Sequence, residues 1–100
     1  MKTSLTETLV EQVAERFRAL GEPARLRMVR ALMDGEQSVG DLVVITGLGQ
    51  ANVSKHLQLL HRHGFVVRRR EGQFIYYRLA GDDVYKLCDI MCGAVASDDS

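Results

Sequence analysis

Residues 50–64 read QANVSKHLQLLHRHG, and their spacing leaves this chain little freedom of fold. Val53, Leu57 and Leu60 recur at helical spacing, and Gly64 follows as a C-terminal stop. The rest of the segment is polar, with Gln50, Asn52, Ser54, Lys55 and His56 crowded into its N-terminal half. A helix of this kind buries one narrow stripe, so it must lie on other elements while its polar side stays open. With 100 residues in the chain, those elements build one small domain, residues 1–100, around a thin core.

The neighbouring sequence predicts what those elements are. Ser4 to Glu7, SLTE, matches a capping box, and Leu5, Leu9, Val13, Phe17 and Leu20 continue as a helical stripe closed by Gly21. Pro23 suits the first turn of a second helix, which carries Leu26, Val29, Arg30 and Met33 to a stop at Asp34-Gly35. Ser38 to Asp41, SVGD, opens a short third helix with Leu42, Val43 and Ile45 on its apolar side. GLGQ is a tight connection into the fourth helix, about Gln50 to His63. The texture then changes: FVVRRREGQFIYYRLA places β-branched and aromatic residues on both sides of Glu71-Gly72, a hairpin signal. Asp82 or Asp83 caps a last helix reaching about Ala96. The fold class is therefore mainly α with a β-hairpin wing, in the order α-α-α-α-β-β-α.

Composition narrows the function. Apolar and charged fractions of 46% and 26% are ordinary for a globular domain, and no apolar run approaches a membrane span. The first twelve residues, MKTSLTETLVEQ, have no apolar export core, which with two cysteines predicts a reducing, cytoplasmic setting. No cluster pairs a nucleophile with a base or two carboxylates in acid and base roles, so an enzyme is not expected. The formal net charge is zero, but its distribution is uneven. From Gln50 to Arg78 six cations (Lys55, Arg62, Arg68, Arg69, Arg70, Arg78) meet one anion, Glu71. A cationic face on a neutral protein can still dock on phosphates.

The third helix, the glycine-bearing turn and the fourth helix form a helix-turn-helix pattern. In such a unit the second helix enters the major groove of duplex DNA, which is wide enough to admit it. Gln50 and Asn52 can pair bidentately with adenine, while Ser54, Lys55 and His56 suit phosphates or base edges. Arg68, Arg69 and Arg70, with Gln73 at the hairpin tip, would lie beside the duplex. A solvated polar helix with an incidental arginine run, or a winged module for protein contact, are the alternatives. His61 and His63 read as surface or helix-end groups rather than ligands. The stretch GLGQANVSKHLQLLHRHGFVVRRREGQFIYYRL resembles the recognition helix and wing of the ArsR/SmtB repressors, and LGEPARLRMVRAL resembles that family's second helix. The resemblance covers about residues 13–92. It implies a homodimer joined through its first and last helices. It also implies binding to an inverted repeat overlapping the repressor's own promoter, and release by an effector.

The same resemblance indicates where an effector would bind. The family's thiolate site in the third helix falls on EQSVGDL, where Ser38 and Gly40 stand in place of cysteines. Its zinc site in the last helix needs histidines, and none follows His63. Its dithiol pairing needs a cysteine in the second helix, which has none. Cys88 and Cys92 remain, four residues apart, so their side chains lie about 40° apart on one helix face and about 6 Å apart along the axis. That spacing suits clamping a soft ion better than forming a disulfide within the helix. Across a dimer axis, four sulfurs suit Zn²⁺ or Cd²⁺ and three suit As(III). Thiol oxidation, between chains for instance, and plain packing of Cys88 in the stripe Val84, Leu87, Met91, Val95 are the competing readings.

Overall fold

The computed structural model describes residues 6–98. In chain order the elements are α1 (Glu7–Leu20), α2 (Pro23–Leu32), β1 (Gln37–Ser38), α3 (Val39–Thr46), α4 (Gln50–Arg62), β2 (Val66–Glu71), β3 (Phe74–Leu79) and α5 (Asp82–Asp98). The Ser4 cap lies outside the described residues. It is Thr6 that caps α1, its hydroxyl accepting from the Leu9 amide at 3.2 Å. Pro23 occupies the first turn of α2 as expected, and the Glu22 carboxylate caps that helix through the Arg25 amide.

The expected hairpin is there, in full register from Val66↔Leu79 to Glu71↔Phe74. Its loop is Gly72-Gln73 rather than Glu71-Gly72, with Gly72 at φ 62 and no positive φ at Gln73, the pattern of a type II′ turn. One strand was not expected. β1 pairs antiparallel with β3 through Gln37↔Tyr77 and Ser38↔Tyr76, giving the sheet order β1-β3-β2. Two residues are too few for a period-2 pattern to register, and Ser38 also carries a helix-cap signal that masks them.

The core is centred on α4. Val53, Leu57 and Leu60 are fully buried, packed with Met28, Val29 and Leu32 of α2, Leu42 of α3, and Phe65, Val66 and Tyr77 around the sheet. Each such side chain contributes roughly 1.5–3 kcal/mol on burial. Four expected stripes prove only partly buried. In α2 Val29 is buried as expected, together with Ala24, Met28, Ala31 and Leu32, but Leu26 is exposed; in α3 Ile45 is exposed. In α1 only Ala19 and Leu20 are buried, leaving Phe17 56% exposed. In α5 Val84 and Cys88 pack inward, but Ile90 and Met91 are 70% and 60% exposed. The radius of gyration of 14.7 Å exceeds the ~13 Å usual for a chain of this length, as expected when two helices stand partly away from the core.

Candidate nucleic-acid interface and the cysteine cleft

The short α3 is held at both ends. The Ser38 hydroxyl accepts from the Asp41 amide and the Asp41 carboxylate from the Ser38 amide, both at 3.0 Å, a reciprocal capping box. At the other end Gly47 adopts the left-handed conformation (φ 72), where a side chain would be strained. The Thr46 hydroxyl donates to the Leu42 carbonyl at 2.6 Å and accepts from the Leu48 amide at 3.3 Å. The turn is thereby fixed, and α4 starts after Gly49, which has no side chain to cap the first amides of α4.

With Val53, Leu57 and Leu60 locked inward, the remaining faces of α4 follow from about 100° per residue. Asn52 and Lys55 are exposed on its outer side. Gln50 and Ser54 take one flank, lining a cleft with Gln73, Phe74 and Ile75 of the hairpin and Ser38, Val39, Gly40 and Val43 of the α3 region. His56 lies on the opposite flank, so the structure does not bring it to this cleft. It is half-buried, its Nδ1 3.4 Å from an Arg25 Nη1. The same guanidinium donates to the Ala19 carbonyl at 2.5 Å and to the Arg18 carbonyl at 3.4 Å, satisfying carbonyls at the end of α1.

The three wing arginines also separate. Arg68 and Arg70 share a sheet face with Ile75 and Tyr77, by register. Both are exposed; Arg70 Nε donates to the Gly72 carbonyl at 3.0 Å. Arg69 projects from the other face, held by Glu36 (2.7 and 2.9 Å) and Glu71 (2.7 Å), and its guanidinium lies 4.5 Å from the Tyr76 ring centroid. This partnership holds the Glu36 carboxyl below its ordinary range, chiefly through the hydrogen bond from Arg69. Sequence reading placed all three in one role because the partner that sets Arg69 apart, Glu36, lies 33 residues away.

The cysteines line a cleft between α2 and α5 with Leu26, Arg27, Val29, Arg30 and Met33. Cys88 is 7% exposed, and Cys92 is exposed. Burial, and secondarily the neighbouring Cys92, push the Cys88 thiol up, so it resists ionising. Among the described residues no group of three or more His, Cys, Asp or Glu side chains is placed to hold a metal ion. No helix among them is long and apolar enough to cross a membrane.

A three-helix unit whose last helix shows a polar face beside an arginine-bearing hairpin defines a winged helix-turn-helix domain. Residues 22–67 match the model of the bacterial regulatory proteins of the arsR family. The chain is 37% identical over 83 residues to the HTH-type transcriptional regulator Rv0081 of Mycobacterium tuberculosis, covering 82% of this chain and 73% of that one. The crystal structure of Rv0081 superposes with a TM-score of 0.85 at 34% identity, covering 92% and 93% of the two chains. The homodimeric winged helix-turn-helix DNA-binding domain of Mb0332 from Mycobacterium bovis gives 0.83 at 35% identity, covering 98% and 89%. A biofilm growth-associated repressor of Xylella fastidiosa is 40% identical over 73 residues, 73% of this chain and 64% of its own length. The chain thus belongs to the arsR family of bacterial transcriptional regulators and is not an enzyme.

Proposed function

We propose that the chain is a cytoplasmic, homodimeric repressor that binds an inverted-repeat operator in double-stranded DNA and is released by an effector acting at Cys88 and Cys92. The observation that carries the DNA reading is the cleft that brings Gln50 and Ser54 of α4 beside Gln73 of the wing, with Asn52 and Lys55 exposed on the same helix and Arg68 and Arg70 exposed on the hairpin. Two copies of that surface read two half-sites about one helical turn apart. The repressor sense follows the Xylella relative, and the dimer follows the homodimeric Mb0332 domain. A protein-contact module would need none of this base-facing chemistry, and it would show no steep salt dependence.

Operator binding measured by fluorescence anisotropy over a salt series tests the assignment. Lys55→Ala is expected to weaken binding to all sequences. Gln50→Ala or Asn52→Ala is expected to relax base preference, by about 1–3 kcal/mol for each bidentate pair lost. Unaltered DNA binding in all three variants would remove α4 as the reading helix.

For the effector, the donor set decides between chemistries. One chain offers two sulfurs, short of the three or four that a thiophilic ion takes, so As(III), Cd²⁺ or Zn²⁺ would need the pairs of both chains. Arg27 and Arg30 in the cleft wall disfavour a cation beside the cysteines, and Cys92 is exposed to a small oxidant. That specific feature supports thiol oxidation as the second reading. An oxygen-free titration of reduced protein with Cd²⁺ and with As(III), read by thiolate-to-metal absorption, separates the two. A saturating signal lost in Cys88→Ser, Cys92→Ser makes the pair a ligand site, and its stoichiometry shows whether chains share it. A silent titration with operator release on mild oxidation assigns the redox role.

A further inference from the structure

The Arg69 cluster does something that a surface ion pair does not. Arg69 on β2, Tyr76 on β3 and Ser38 on β1 stand opposite one another in register, so they cross the sheet from one edge strand to the other. Glu36 immediately precedes β1, and its carboxylate meets Arg69 through two parallel N–H···O bonds. Glu71 takes a further N–H, and the Tyr76 ring lies against the guanidinium. Most donors on the fork are therefore committed, with geometry that isolated exposed pairs lack. The last residue of β1, Ser38, is also the cap of α3. The outermost wing strand is thereby fastened to the segment that starts the helix-turn-helix.

We infer that Arg69 is a positioning residue: clamped by Glu36 and Glu71 on Tyr76, it sets the wing against α3 and leaves phosphate contact to Arg68 and Arg70. Electrostatics argues the same way. One guanidinium between two carboxylates carries a local charge of the wrong sign, so a phosphate approaching Arg69 meets repulsion from Glu36 and Glu71. On the other sheet face Arg68 has no acidic partner among the described residues. The inference rests on the DNA-binding reading, whose own failure the experiment detects.

The test compares Arg69→Gln, Glu36→Ala and Arg68→Ala in operator binding across a salt series, with folding of each checked by thermal denaturation. A phosphate contact removed lowers the slope of log K against log salt by about 0.9, or about 1.8 for both chains of a dimer. Arg68→Ala is expected to show that drop. Arg69→Gln should weaken binding about 3–10-fold with the slope kept, a scale set by charge-assisted hydrogen bonds. Glu36→Ala is the sharper variant. Positioning predicts weaker binding although a negative charge is removed; a phosphate role for Arg69 predicts tighter binding because a competitor is gone. Tighter binding in Glu36→Ala, a slope drop in Arg69→Gln, or unchanged affinity in both overturns the inference. Absence of salt-dependent DNA binding in the parent protein overturns the functional reading beneath it.

Discussion

Met91→Glu is expected to convert the protein to a monomer at micromolar concentration and to reduce operator affinity by at least about a hundredfold. Along α1 and α5, Val10, Val13, Phe17, Leu87, Ile90, Met91 and Val95 are exposed, a large apolar surface for so small a chain. Phe17, Leu20, Leu26, Leu87, Met91 and Val95 line one continuous groove of this surface. An isologous dimer buries each contact twice, so losing one methionine removes roughly 3–6 kcal/mol of association, before the cost of burying carboxylates. A monomer holds one half-site and loses the gain from linking two. Sedimentation velocity and anisotropy on the same sample check both parts. A dimer that persists in Met91→Glu would exclude this surface as the interface.

The second large effect is on stability. Leu57 is fully buried among α2, α3 and the sheet, and it is also the middle residue of the stripe that fixes the rotation of α4. Leu57→Ala leaves a cavity costing about 2–5 kcal/mol. Domains of this size have about 5–15 kcal/mol in all, and each kcal/mol moves Tm by about 4–8 °C. A fall of roughly 10–30 °C is therefore expected in thermal unfolding at fixed protein concentration, because self-association adds to apparent stability. A loss under about 1 kcal/mol would mean that α4 is seated otherwise than described.

Elements with strong local chemistry were readable from the chain. The Val53, Leu57 and Leu60 stripe, the Ser38 to Asp41 cap, Pro23 and the hairpin texture each act within a few residues, and each appears in place. What was not readable depends on distant partners. Arg69 and Glu36 are 33 positions apart, and Arg25 and His56 are 31 apart, so no window along the chain reveals that these side chains are engaged. The stripes of α1 and α5 were read correctly as apolar, but periodicity says only that a face is apolar. Whether the face packs inside the chain or stays open for another copy depends on tertiary arrangement, and Phe17 and Met91 are exposed here. For the cysteines, spacing predicted a shared face but not their unequal exposure: Cys88 joins the buried core cluster and Cys92 does not.

The Arg25 guanidinium has a wider consequence. It grips the last carbonyls of α1 with one edge and meets His56 on α4 with another. The helix proposed to meet a second copy and the helix proposed to read DNA are thus yoked by a single side chain. If the two copies changed their angle of approach, a tilt of α1 at its C-terminal end would disturb a side chain that also touches the flank of α4. A small rotation at the seam would then be felt as a change of pitch in the groove.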